Sequence, residues 1–186
     1  MTDLPKRKRN RLEDYDYSQN GAYFITICTK DRKKLFGEIT VGAATCRPNI
    51  ETRPHDIPHV KLSALGEIII EAIENISSIY QCVTVDKYVV MPNHLHLTVI
   101  VHGYGRQVAS QYGRQVASQY GRQVAAPTTV NTIIGNMKRY VSMQIGFSPW
   151  QKSFHDHIIR NERSYQKIAK YIEDNPITWK EDCFYV

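Results

Sequence analysis

His94 and His96 are the residues of this chain whose type and spacing point most directly to chemistry. They lie two positions apart in VTVDKYVVMPNHLHLTVIV, an apolar run that reads as β-strand. Successive side chains of a strand point to opposite faces, so both imidazoles emerge on one face while Leu95 turns into the core. Imidazole nitrogen is a common metal ligand, and a pair on a rigid strand supplies two coordination positions at little conformational cost. The same spacing also occurs as two polar residues on the solvated face of a half-buried strand, so the pair needs further residues to become a site.

A candidate for such a residue lies on a predicted helix. Val130, Ile134, Met137, Val141 and Ile145 recur at helical spacing, and Tyr140 and Gln144 are four residues apart on one side of that helix. Tyr140 falls on the flank of the apolar stripe, where a boundary tyrosine packs its ring and leaves its hydroxyl in water. Lys138 and Arg139 precede it, and cations beside a phenol favour both phosphate approach and a phenolate-like oxygen. A tyrosine hydroxyl near a metal-held phosphate is a competent covalent nucleophile.

The elements that must position these residues follow from periodicity. GAYFITICT reads as a first strand. Ser63 offers an N-cap to a helix carrying Leu65, Ile68, Ile69, Ala72, Ile73, Ile76 and Tyr80 inward. Cys82 to Tyr88 gives a second strand, Met91-Pro92-Asn93 a turn, and His94 to Val101 a third strand. Ala126-Pro127-Thr128-Thr129 opens the second helix, which Gly146 and Pro149 end. Trp150 to Ile159 reads as a fourth strand. Asn161 caps a last helix with Tyr165, Ile168, Ala169 and Ile172 inward, stopped by Asn175-Pro176. This order predicts an α+β fold, a ferredoxin-like split βαβ sandwich with an antiparallel sheet and an extra C-terminal helix. Helices then cover one sheet face and leave the other available for a ligand.

A chain of 186 residues suits one domain with a real core. The reading divides it into a basic N-terminal arm, 1–20, and a single domain, 21–186, with loop insertions near 41–59 and 103–126. Within the second insertion GRQVASQY recurs with period eight, too short for a helical solenoid unit and too poor in large aliphatic residues to build its own core. The net charge of +6 and sequence pI of about 9.1 suit a polyanionic partner. Lys6, Arg7, Lys8, Arg9 and Arg11 read either as a solvated terminus or as a DNA-contacting arm. Four scattered cysteines without a CxxC pair argue for reduced thiols rather than a disulfide framework or a zinc site. No stretch reaches the roughly 18 apolar residues of a membrane span, and no apolar signal core follows the charged start. A cytoplasmic, nucleoid-associated protein with no membrane partner is expected.

The segments DYSQNGAYFITICT, VDKYVVMPNHLHLTVIV, IIGNMKRYVSMQI and WQKSFHDHIIRNERSYQKIAKYIEDNP together resemble the REP-associated tyrosine transposases, part of the single-tyrosine HUH transposase superfamily of IS200-like enzymes. The resemblance covers most of the chain outside the basic arm and the two insertions. It implies a ferredoxin-like nuclease that cuts and rejoins single-stranded or hairpin DNA through a 5′-phosphotyrosine, using a divalent metal, Mg²⁺ or Mn²⁺. Carried onto these positions, His94 and His96 are the metal ligands, Tyr140 the nucleophile and Gln144 the polar residue completing the metal site. His157, Arg160 and Arg163 join Lys138, Arg139 and the arm as DNA contacts, and a homodimer is possible. Two other readings stay open: a nucleic-acid-binding module without cleavage, and a metal-dependent hydrolase that uses water.

Overall fold

The computed structural model describes residues 15–41, 58–102 and 129–185. The basic run Lys6 to Arg11, most of the 41–59 loop, the GRQVASQY repeat and Ala126-Pro127-Thr128 of the segment opening the second helix lie outside the described residues.

Four strands form an antiparallel sheet: β1 (Gly21–Cys28), β4 (Val83–Val90), β5 (His94–Val101) and β6 (His155–Ile159), in the order β4-β5-β1-β6. This is the strand order of the split βαβ sandwich, so the expected fold class holds. The first two helices are α1 (Ala64–Ile79) and α2 (Val130–Ile145). Ser63 caps α1 as expected, its Oγ accepting from Gly66 N at 3.1 Å, and Thr129, the last residue of the expected opening segment, caps α2, its Oγ1 accepting from Thr132 N at 3.2 Å. Gly146, at φ 78°, ends α2 in the left-handed conformation that favours glycine.

A short hairpin of β2 (Gly37–Thr40) and β3 (His59–Leu62) was not foreseen. Each strand is four residues long and about half exposed, and the residues between them carry no two-residue turn signal, so neither strand has a period to detect. The hairpin leads into α1, whose first turn packs so closely that a Cβ on Gly66 would run into the Phe36 carbonyl. The fourth strand is shorter than expected. Trp150 makes only an isolated bridge to Thr29, and regular pairing resumes at His155.

Strand alternation divides the sheet into two unlike faces. Tyr23, Ile25, Ile27, Leu95, Leu97 and Val99 join Ile69, Ile73, Ile133, Ile134, Met137 and Val141 in one apolar core, so α1 and α2 both pack on this face. Thr26, His94, His96 and Thr98 face the other way and are also buried. The expectation that this second face stays open is corrected. A third helix, α3 (Glu162–Asp174), packs against β4, β5 and β6, and the C-terminal segment with the 3₁₀ turn Trp179–Glu181 follows it. Two polar links tie α3 to the bulge in β4: Tyr165 Oη donates to Asp86 at 2.5 Å, and Lys87 pairs with Glu173 at 2.8 Å. Asn161 caps α3, as expected, by accepting from Ser164 N at 2.9 Å.

Among the described residues no helix is long and apolar enough to cross a membrane. Cys28, Cys82 and Cys183 are free thiols, and burial pushes Cys28 up to about 11.

Candidate functional site

His94 and His96 are 0% and 1% exposed, so their imidazoles act in a nearly dry environment. Burial holds both below the ordinary imidazole value, His94 at about 4 and His96 at about 3, and both are neutral at pH 7. The tautomer of His94 follows from Asn93. The Asn93 amide nitrogen donates to the carbonyls of Arg32 (3.4 Å) and Phe184 (2.8 Å), which turns Asn93 Oδ1 toward His94 Nδ1 at 2.9 Å. Nδ1 therefore carries the proton and Nε2 the lone pair.

His94 Nε2 stands 3.0 Å from His96 Nε2, and His96 Nδ1 stands 2.9 Å from Thr26 Oγ1. With His94 Nε2 as acceptor, His96 Nε2–H donates to it and Thr26 donates to His96 Nδ1. A hydroxyl can reverse its role, so Thr26 is able to accept from Nδ1 and release the second lone pair. Two ligands at ~2.1 Å from one ion and about 90° apart are separated by about 3.0 Å, so the observed spacing suits a chelate.

Oxygen donors complete the group. One carboxylate oxygen of Asp182 and the two imidazole nitrogens lie within 4.8 Å of one another. Burial raises Asp182, but the Phe184 N–H at 2.7 Å, the Asn175 amide and Tyr171 outweigh it, and the carboxyl stays below its usual value. Asn175 is fully buried at the end of α3, its Nδ2 donating to Asp182 at 2.7 Å. Among the described residues its Oδ1 has no hydrogen-bond partner, although the side chain is near enough to raise His94. A buried orphan acceptor beside two imidazoles and a carboxylate is what a cation would satisfy. The donor set fits a divalent metal.

Tyr171 reaches this group from α3. Its Oη donates to Asp182 Oδ2 at 3.0 Å and lies 3.3 Å from His96 Nε2, with the two rings 5.1 Å apart. Burial and then Asp182 push the phenol well above the ordinary tyrosine range, so it stands protonated. At 38% relative exposure one side remains open to a substrate. Trp179 and Phe184 pack on His94 at 5.7 and 4.6 Å, and Phe24 stacks on His96 at 5.1 Å, which fixes the imidazole planes.

The structure does not bring Tyr140 or Gln144 to the histidines. Both lie on α2, which packs on the opposite face of the sheet, and the strands themselves stand between. Tyr140 is part-buried against the core and donates to Glu71 of α1 at 3.1 Å, while Gln144 is exposed. Burial and Glu71 raise the Tyr140 phenol, contrary to the expected effect of Lys138 and Arg139. Lys138 instead donates to the carbonyls of Gln151 and Ser153, and Arg139 is exposed on the same helix. His157 pairs with Phe24 and so shares the histidine face at the sheet edge, exposed. Arg160 and Arg163 are exposed at the β6–α3 junction.

The residues that sequence reasoning missed are Tyr171, Asn175 and Asp182. Tyr171 and Asn175 repeat the four-residue spacing of Tyr140 and Gln144, on the one helix that lies over the histidines. That spacing was available as a signal.

No family model matches the chain. An uncharacterized protein of Haemophilus influenzae (strain ATCC 51907 / DSM 11121 / KW20 / Rd) is 32% identical over 187 aligned residues, covering 97% of this chain and 93% of the relative. Among solved structures, a REP-associated tyrosine transposase bound to a REP hairpin superposes with a TM-score of 0.54 at 17% identity, covering 91% of this chain and 74% of that one. The chain belongs to the family of the Haemophilus influenzae protein and has the fold of a REP-associated tyrosine transposase.

Proposed function

We propose that this protein cuts and rejoins DNA through a covalent 5′-phosphotyrosine, with Tyr171 as the nucleophile and single-stranded or hairpin DNA as the substrate. The observation that carries the reading is the meeting of Tyr171 Oη with His96 Nε2 and Asp182 at the two-histidine site. The shared fold supports it, since the transposase of that fold is bound to a hairpin. The basic balance of the chain supports it too.

His94, His96, Asp182 and the free oxygen of Asn175 would hold the cation, and the mixed nitrogen and oxygen set suits Mn²⁺ or Mg²⁺. When bound, the cation supplies Lewis-acid stabilisation of charge on the scissile phosphate. The protein residues do the rest. Tyr171 Oη attacks phosphorus, the bond to the 3′ oxygen breaks, and the phenol proton passes to Asp182 Oδ2, its present acceptor. The departing 3′ oxygen takes up a proton from solvent water. Attack by another 3′-hydroxyl reverses the step and joins strands, so the phosphodiester energy is conserved in the link. Tyrosine and histidines come from one chain, and no exchange of helices between protomers is needed to assemble the group.

The test uses the full chain, labelled single-stranded and hairpin oligonucleotides, and Mn²⁺ or Mg²⁺, read on a denaturing gel. A DNA–protein adduct is expected, absent with chelator and absent in Tyr171→Phe. An adduct that survives Tyr171→Phe overturns the assignment. Cleavage without any adduct would favour water as the nucleophile.

A further inference from the structure

Between the turn after β1 and α2 the surface opens into a cleft of about 800 Å³ that the chemistry above does not use. Its walls are the turn after β1, the C-terminal half of α2 and the segment joining α2 to β6. Backbone bonds hold them together, from Lys30 N to Pro149 O at 2.7 Å and from Gln151 N to Cys28 O at 2.9 Å. Lys30, Arg32, Lys138, Arg139 and Lys152 line the cleft, against a single acid, Asp31.

Two of these cations are fixed in place. Lys138 Nζ donates to Gln151 O at 3.0 Å and Ser153 O at 2.8 Å and lies 5.9 Å from the Trp150 ring centre. An ammonium has three donors, so one remains for an anion. Burial pushes Lys138 down to about 8, a cost that a bound anion would relieve. Arg32 Nη1 donates to Cys183 O at 3.0 Å, and its guanidinium lies 5.5 Å from the Phe184 ring, which itself packs on His94. Arg32 therefore joins the cleft to the metal-ligand group.

The backbone tells the same story. Among the described residues, the non-glycine positions with left-handed φ are Asp31 (58°), Arg32 (53°) and Ser153 (70°). Two line the cleft, and the third presents the carbonyl that holds Lys138. Such strain persists only where surrounding structure over-determines it, and it concentrates at functional sites. Trp150, the aromatic residue in the lining, is 6% exposed and packed on Phe36, so it offers no open ring for a base to stack on.

We propose that this cleft grips the phosphodiester backbone of the DNA strand next to the cleavage point, without reading its bases, through Lys30, Arg139 and Lys152 around the fixed cations Lys138 and Arg32. The choice of DNA as the polyanion rests on the function proposed above.

Binding of labelled, unrelated single-stranded oligonucleotides to the full chain is followed by fluorescence anisotropy across a salt series. Each phosphate contact on a single strand contributes about 0.7 to the slope of log affinity against log salt. The variant Lys30→Ala/Arg139→Ala/Lys152→Ala should lose about 2 from that slope, equally on every sequence. As a second probe at one exposed position, Lys152→Glu should weaken binding roughly tenfold at low salt and converge with wild type at high salt. Slopes unchanged in both variants overturn the proposal, and so does a loss confined to one sequence. The two proposals fail separately. A wild-type adduct with unchanged slopes sinks the cleft alone, whereas reduced slopes without any wild-type adduct sink the tyrosine reading and leave the cleft standing.

Discussion

One face of the sheet presents Tyr23, Ile25, Leu95, Leu97 and Val99 beneath α1 and α2, while the other presents Thr26, His94, His96 and Thr98 beneath α3 and the C-terminal segment. Both sets are buried, yet only the second is polar. Apolar burial stabilises in proportion to area and needs no partners. Buried polar groups cost free energy unless each finds a bond, and on the second face most do: Thr26 with His96, Asn93 with His94, Tyr171 and Asn175 with Asp182. The groups left over are informative. Among the described residues Thr98 Oγ1 and Asn175 Oδ1 lack hydrogen-bond partners, and the Asn175 oxygen stands by His94, His96 and Asp182, a group that could hold a metal ion. The face under α1 and α2 builds the apolar core, and the chemistry proposed above lies on the face under α3.

The contrast is sharpest between the two tyrosines. Tyr171→Phe should lower adduct formation by roughly 10³-fold or more, as removal of a nucleophile does. Tyr140→Phe, which removes the bond to Glu71, should leave adduct formation within about twofold and cost about 1 kcal/mol of stability by urea denaturation. The reverse ranking would break the division of the sheet.

Truncation on the apolar face should instead be read in stability. Leu97→Ala should cost about 2–5 kcal/mol, while cation affinity per folded molecule, measured by titration calorimetry, stays near wild type. On the histidine face Thr26→Val removes the hydroxyl that bonds His96 Nδ1 and holds the ring in place. Cation affinity should fall by about 10–100-fold with little loss of stability. Equal effects of the two substitutions on both readouts would show that the faces are not specialised.

The smallest effect is in acid. His94 and His96 are held neutral at about 4 and about 3, whereas in the unfolded chain a histidine takes a proton near 6.5. The unfolded state binds more protons as pH falls from about 6.5 to about 4, so stability is lost across that window. Asp182 titrates below it, having a lowered carboxyl. Denaturation at pH 7.5 and pH 5 should show a smaller acid loss in His96→Ala than in wild type. An unchanged difference would contradict the buried, neutral imidazoles.

Much of this was legible in the chain itself. The caps Ser63, Thr129 and Asn161, the stripe of α2 and the β5 alternation all led to the observed elements, because each is a local signal of period or hydrogen bonding. The histidine pair was legible for the same reason. The tyrosine that meets the histidines was not, since α2 and α3 both carry a tyrosine with an amide residue one turn on, and spacing alone cannot say which helix covers which face. Topology can. If Leu95 faces the helices that connect the sheet strands, His94 and His96 face away from them, and a tyrosine on a connecting helix is on the wrong side. Asp182 lies in a C-terminal segment without periodicity, so no sequence pattern marked it.

The most direct test of this account is mapping the attachment point of the DNA. After the adduct is formed and digested with nuclease and trypsin, mass spectrometry should find the nucleotide on the Tyr171–Lys180 peptide, YIEDNPITWK. A nucleotide on the Tyr140–Lys152 peptide, YVSMQIGFSPWQK, would contradict it.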